Sequence, residues 1–572
     1  MEKLYTARGP TLAAVPWNEY PRPRLVRERW LCLNGQWEVR IQPAGGEPRQ
    51  ETITVPFCPE SLLSGVKTPP APEDVLMYRR SFTVPADWTG ERVLLHFGAV
   101  SRSTVVYLNG REICRHDNGY LPFSAEIGYA LRPGENTLAV RAVNDLDPRW
   151  PLGKQSAKPG GMWYTPCSGI WQTVWLESVP REYIRDIRVR TAADRAEIEV
   201  LGVDAGTVTL EGREYPLKNG RARIELPSPR RWSPEDPYLY RFTVTAGEDR
   251  AESYFALRTL SVERVGDVPR LCLNGKPYFF NGLLDQGYWS DGLYTPAGPE
   301  CFADDILAMK ALGFNTVRKH IKIEPERFYY ECDRLGMIVF QDMVNNGVYR
   351  FFRDTALPTA GLQRLGDRRM NPDRETRQNF LAAMEATAEH LRFHPSICLW
   401  TIFNEGWGQF CADEAYKRLK ALDPTRFIDS TSGWFAQKDS DAESRHIYFG
   451  PLRLGREDRP RILSEFGGYV WKVPGHSFDP EHTYGYRIFK TRESFVSAMR
   501  KTYRKLIPLA EKGLCAAIWT QLSDVEQETN GLITFDRAVL KVRADELADL
   551  AAELRESVMQ GRALRPPGNL GE

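Results

Sequence analysis

From about residue 262 onward, eight short apolar runs recur: "PYFFNGLLDQG", "FNTVRKHI", "IVFQDM", "ICLWTIFNE", "FIDSTSG", "HIYFGP", "RILSEFGG" and "AAIWTQLSD". Helical periodicity lies between several of them, as at Phe380, Leu381, Met384, Ala388 and Leu391, which His394-Pro395 stops. Phe302, Ile306, Leu307 and Leu312 repeat the pattern between the first run and the second. Apolar strands alternating with helices build a parallel sheet covered on both faces, and eight such units close a (β/α)8 TIM barrel. The helical signal is faint between the fifth, sixth and seventh runs.

The preceding residues follow a different grammar. Up to about residue 180, short alternating runs such as "WEVRI", "TVVYLNG" and "NTLAVRAV" are divided by Gly, Asn, Asp and Pro turns, which predicts a β jelly roll. Within it, "YLNG" at Tyr107 to Gly110 predicts a hairpin, because Asn-Gly accepts the positive φ angles of a two-residue turn. A shorter alternating block from Tyr183 to Leu260 has the size of an immunoglobulin-like β-sandwich. The chain of 572 residues is too long for one core. It divides into expected units 1–181, 182–261 and 262–572.

Charge and cysteine content exclude several classes. A net charge of +1 gives no electrostatic reason for a nucleic-acid or anionic-membrane partner. The start, "MEKLYTARGPTLAAVPW", lacks a basic stretch followed by an apolar one, and no later run is long enough to span a bilayer, so a cytoplasmic protein is expected. Ten scattered cysteines show neither a C-x-x-C pair nor metal-ligand spacing and are expected to be reduced.

In a barrel of this kind, chemistry sits at the C-terminal ends of the strands. The fourth run ends in Asn404-Glu405 and the seventh delivers Glu465, so two carboxylates reach one mouth. Glycoside hydrolysis needs such a pair: an acid for the departing oxygen, and a carboxylate that attacks the anomeric carbon or activates water. No H-E-x-x-H, G-x-S-x-G, phosphate loop or G-x-G-x-x-G competes. Trp407, Phe410, Trp434, Tyr448, Trp471 and Trp519 fall near the proposed tips, where aromatic faces pack on a pyranose. Apolar walls also disfavour a charged carboxyl, and Glu405 is the one expected to keep its proton by that means. The alternative is that both glutamates are solvated strand ends and the tryptophans ordinary core.

Further along the second strand, Arg318, His320 and Lys322 share a face if it stays extended, and Arg453, Arg456 and Arg459 punctuate the loop after the sixth. Such a positive rim suits a sugar acid. Asp285 after the first strand, Asp342 after the third and, more weakly, Glu528 are polar tips that bind a sugar hydroxyl or cap the backbone.

"RFHPSICLWTIFNEGWGQF", "RILSEFGGY", "FNTVRKHIKIEPERFYYECDRLGMIVFQDM", "YTPCSGIWQTVWL" and "WTQLSDVEQETNGLITFDR" together resemble glycoside hydrolase family 2, the family of bacterial β-galactosidases, β-glucuronidases and β-mannosidases. The resemblance covers almost the whole chain and implies retaining hydrolysis, with Glu405 as acid/base and Glu465 as nucleophile. It also implies that Asn404 binds the sugar 2-hydroxyl, that Arg318 keeps the nucleophile ionised, that Tyr448 donates to Glu465 and that Trp519 floors the sugar site. His320 matches a family histidine, and the loop "GGMWYTPCSG", with Trp163 and Tyr164, is one the family turns toward the active site. The Asn-x-Lys element by which the family's β-glucuronidases grip the uronate is not evident here, which leaves a β-galacturonidase plausible.

The expected function is therefore an exo-acting retaining β-glycosidase on a β-hexuronide, with a neutral β-galactoside or a non-catalytic carbohydrate-binding role as alternatives. No cofactor or metal is called for. A small glycoside or oligosaccharide is the expected partner, a homo-oligomer is compatible with the chain, and neither nucleic acid nor a membrane is expected.

Overall fold

The computed structural model describes residues 3–88, 92–363, 365–454 and 458–559. Its N-terminal part is all β. A four-stranded and a six-stranded antiparallel sheet enclose Trp37, Val39, Ile41, Tyr78, Leu95, Val106, Leu138 and Val140. Gly35–Gln42 shows why: its residues alternate between buried and exposed, so one face is committed to the core. Asn109 and Gly110 take φ of 52° and 84°, giving the tight turn between Ser103–Leu108 and Arg111–Asp117.

Seven antiparallel strands from Asp186–Thr191 to Asp249–Phe255 follow as one continuous sheet curved round Ile187, Ile198, Val208, Phe242 and Val244. The segment from residue 3 to residue 29 does not stay with the jelly roll. Thr6 binds Asp291 of the barrel, Leu25 enters the core of the seven-stranded sheet, and Arg27 bridges Glu177 and Asp249. A boundary at 181 therefore leaves out a segment that laces the units together.

The barrel strands are β1 (Phe280–Asp285), β2 (Thr316–Lys319), β3 (Ile338–Asp342), β4 (Ile397–Asn404), β5 (Phe427–Ser432), β6 (Glu443–Ile447), β7 (Arg461–Gly467) and β8 (Leu514–Thr520). They are parallel and run in chain order, with β8 beside β1. All eight predicted runs are strands. The sixth lies earlier than "HIYFGP" suggested, so Tyr448 sits just past its end.

Helices α1 (Glu300–Ala311), α2 (Glu326–Leu335), α3 (Arg374–Leu391), α4 (Ala412–Leu422) and α5 (Arg492–Glu511) pack outside. Among the described residues no helix separates β5 from β6 or β6 from β7, which accounts for the faint periodicity there. The barrel closes at that seam through Asp441, whose N–H donates to the Ile428 carbonyl and whose carboxylate accepts from the Ile428 N–H. Leu271 and Leu273, on a hairpin below the barrel, pack against Phe280, Ile338, Leu399, Phe427 and Ile518. The bottom is thus plugged and the upper end is left for chemistry.

All ten cysteines are free thiols. No helix among the described residues is long and apolar enough to cross a membrane.

Candidate active site

Side-chain direction in the barrel follows strand parity. Arg318 on β2 and His320 just past its end turn to the axis, while Lys319 turns outward over the Phe328 ring of α2, 4.3 Å from its centroid. Arg318 is 1% exposed and joins three strands. Its Nε donates to Asp342 Oδ1 (2.9 Å), Nη1 to Glu465 Oε1 (3.0 Å) and Nη2 to Asn404 Oδ1 (2.9 Å). Burial alone would discourage the guanidinium charge, but Asp342 and Glu465 outweigh it and raise the Arg318 pKa.

Glu465 reaches the axis because the β7 register slips between Leu463 and Phe466 against β8. Burial would raise its pKa; His446, Arg318 and His320 overcome that and bring it down to about 2. Its second oxygen accepts from Tyr448 Oη at 2.5 Å, and the Tyr448 ring lies flat on Tyr486, centroids 3.7 Å apart.

Glu405 follows the last residue of β4 and takes φ of 55°, with Gly406 and Gly408 at 72° and 71°. That left-handed turn ends the strand abruptly and leaves the carboxylate at the lip. The Glu405 N–H donates to Ser432 O (2.9 Å), and its carbonyl accepts from Trp434 Nε1 (3.0 Å). Its side chain meets a histidine rather than an apolar wall: Oε1 is 2.7 Å from His446 Nδ1, which is also 3.5 Å from Glu465 Oε2. One oxygen of each glutamate and a His446 nitrogen all lie within 4.8 Å of one another. Those three atoms are close enough to share a cation, but Arg318 already supplies positive charge to Glu465.

His446 was missed in the sequence. The signal was its spacing: His446 and Tyr448 are two apart and share a face. Tyr486, beneath Tyr448, carries no comparable mark.

Several expected sugar ligands are otherwise engaged. Lys322 is 1% exposed, and its three donors go to Gly287 O (2.6 Å), Tyr294 O (2.8 Å) and Glu324 Oε2 (2.9 Å). Ile321 at φ 54° breaks the alternation that would have aimed Lys322 into the mouth. Asp285 points outward to Lys319 and caps the Gly287 N–H (2.8 Å). Asp342 lies behind the site, oriented by Arg318 and by His320 Nδ1 at 2.7 Å. Trp519 is fully buried and packs outward on Phe466 and on Tyr503 of α5, so it cannot floor a sugar; Thr520, one residue on, reaches Tyr448 instead. Tyr164 is fully buried, and its hydroxyl donates to Glu528.

Of the expected sugar ligands, Asn404, His320, Tyr448 and Trp163 lie at the mouth. Trp163 is brought over the barrel by the jelly-roll loop and stands edge-on to Trp407 and Tyr349, at 5.2 and 5.1 Å. Asn404 Nδ2 and His320 Nε2 have no hydrogen-bond partner among the described residues. Trp434 backs the Glu405 carbonyl and the edge of His446, centroids 5.5 Å apart. The positive rim after β6 is thin: Arg453 is exposed, Arg459 is paired with Glu443, and Arg456 lies outside the described residues.

Three family models match in the order of the fold. "Glycosyl hydrolase 2 galactose-binding domain-like" covers residues 66–196, "Glycosyl hydrolases family 2" covers 184–258, and "Glycosyl hydrolases family 2, TIM barrel domain" covers 264–487. The chain belongs to glycoside hydrolase family 2.

Among curated relatives, a β-galactosidase of Aeromonas hydrophila is 26% identical over 468 residues, covering 72% of this chain and 42% of its own. The chain thus spans less than half the length of that relative. Among solved structures, a β-D-glucuronidase of Dictyoglomus thermophilum superposes with a TM-score of 0.73 at 19% identity, over 93% of this chain and 98% of that one. A family 2 β-galacturonidase of Eisenbergiella tayi bound to galacturonate gives 0.70 at 19% identity, over 93% and 99%. At that identity the likeness speaks for the fold.

Proposed function

We propose that this chain is a retaining exo-β-glycosidase acting by double displacement on a terminal β-hexopyranoside. The observation that carries the reading is the pair Glu405 and Glu465, with carboxylate oxygens within 4.8 Å and Glu465 held ionised by Arg318. Retaining enzymes keep their carboxyls about 5 to 5.5 Å apart, whereas inverting ones leave room for water at about 6.5 to 9.5 Å. In the first step a Glu465 oxygen attacks the anomeric carbon while Glu405 gives its proton to the departing oxygen. In the second, Glu405 takes a proton from water, whose oxygen displaces Glu465 from the sugar. The free Nδ2 of Asn404 is suited to the 2-hydroxyl, where a contact that strengthens in the transition state accelerates the reaction.

The substrate class we favour is a β-hexuronide, glucuronide or galacturonide, and Lys154 supports it in place of Lys322. Leu152 and Gly153 donate to the Asn345 carbonyl beyond β3, and the Lys154 carbonyl accepts from Tyr164, so this jelly-roll loop lies at the barrel mouth. Among the described residues the half-buried Lys154 has neither a side-chain hydrogen bond nor an ion pair. Its charge is felt by both His320 and Glu528. An unpartnered cation facing the mouth suits a uronate carboxylate; a neutral galactoside leaves it unmatched.

A panel of p-nitrophenyl β-glycosides tests both levels. Release from the glucuronide or galacturonide should exceed release from the galactoside and mannoside. In Lys154→Met, kcat/KM on the uronide should fall roughly 10- to 100-fold, the loss of one charged hydrogen bond, with little change on the galactoside. Equal losses on both sugars refute the anchor, and no release from any glycoside favours a carbohydrate-binding role.

A further inference from the structure

The hydrogen bonds around His446 determine where its protons lie. Ser464 Oγ accepts the hydroxyls of Ser432 (2.9 Å) and Ser444 (2.6 Å) and gives its own hydrogen to the Arg445 carbonyl (3.3 Å). With its hydrogen spent on Ser464, Ser432 Oγ faces His446 Nε2, 2.9 Å away, as an acceptor. Nε2 therefore carries a hydrogen. Nδ1 stands 2.7 Å from Glu405 Oε1, a distance that requires a proton between them, because a bare nitrogen lone pair and a carboxylate repel.

We infer that Glu405 and His446 act as a couple sharing one proton between Oε1 and Nδ1, and that this shared proton is the one delivered to the leaving oxygen. The inference rests on the glycosidase reading above. His446 acts through Glu405 and is a positioning residue. The other charged and titratable groups around it are Glu465 (3.5 Å from Nδ1), Arg318 (Nη1 3.5 Å from Nε2) and Asp429, whose carboxyl feels the ring's charge from within the barrel. The Trp434 ring and Gly433 close the remaining side.

The proton balance holds through both steps. As the C1–O bond breaks and Glu465 bonds to C1, the shared proton passes to the departing oxygen and leaves a carboxylate facing an imidazole lone pair. In the second step water attacks C1, the bond from C1 to Glu465 breaks, and the proton of that water returns to the couple, which acts as general base. No other reactant is needed.

The leaving group reads the role. Phenyl and 2,4-dinitrophenyl β-glycosides of the sugar favoured in the panel differ in how much acid assistance they need. In His446→Asn, kcat/KM should fall at least about tenfold further on the phenyl glycoside than on the dinitrophenyl one, within the range general acids contribute. Ser432→Ala, which removes the acceptor at Nε2, should shift the two substrates the same way by a smaller factor. It carries the decision alone if the histidine variant does not fold. Equal losses on both substrates, or no loss, overturn the proposal. Glu405→Ala is the control: a split there without one in the His446 and Ser432 variants sinks only the couple, whereas no split in Glu405→Ala sinks the assignment of Glu405 as acid.

Discussion

Glu465 combines deep burial with full ionisation, and its titration carries a stability consequence. Its folded pKa of about 2 lies below the 4.5 of a free glutamate. The native state thus gains stability that is fully present above pH 4.5 and is lost as pH falls from there through about 2. The shift corresponds to up to about 3 kcal/mol. Glu465→Gln should abolish this dependence, so the melting temperatures of wild type and variant should converge between pH 5 and about pH 3. A difference that stays constant over that range refutes the assignment. The same variant should lose at least about 10³-fold in kcat, as nucleophile deletions do, and substantial residual turnover would remove Glu465 from its role. Because Glu465 stays charged throughout the neutral range, any acid limb of the rate profile well above pH 2 has to come from another group.

The eight strands were legible because parallel strands covered on both faces read as unbroken apolar runs, and the two glutamates were legible because Glu405 directly follows one such run and Glu465 lies near the end of another. Side-chain direction was harder to read. Lys322 counts as lumenal only while β2 stays extended, and the positive φ of Ile321, the residue after His320, ends that alternation. Trp519 and Asp285 have the opposite parity to their lumenal neighbours, and only the register of β8 and β1 shows it. His446 was hidden because "HIYFGP" was set too late along the chain. The turn after β4 is the sharpest local test of how an element aims the proposed acid. A Cβ on Gly406 would stand 2.5 Å from the Phe435 ring at a φ of 72°. Gly406→Ala should cost roughly 1 to 3 kcal/mol and displace Glu405, lowering kcat more than it raises KM. A variant with wild-type melting temperature and turnover would show that the turn does not aim the acid.

Over the whole molecule, the jelly roll completes the barrel instead of merely accompanying it, and two lysines separate the ways it can do so. Lys322 belongs to the barrel but is locked beneath the jelly roll, its ammonium 5.5 Å from the Trp171 ring and 4.6 Å from that of Tyr294. Burial lowers its pKa, and Glu324 opposes that by pairing with the charge. Lys154 belongs to the jelly roll but faces the barrel mouth. Removing Lys322 leaves part of the Glu324 charge unmatched in a dry interface, a change that costs about 3 to 5 kcal/mol where buried pairs are broken. Lys322→Met should therefore lower the melting temperature while leaving the ratio of kcat/KM for uronide over galactoside within about twofold of wild type. Lys154→Met should do the reverse, collapsing that ratio with little effect on melting. If Lys322→Met instead abolishes uronide preference at unchanged stability, its three hydrogen bonds must open to admit the substrate, and the carboxylate anchor lies in the barrel after all.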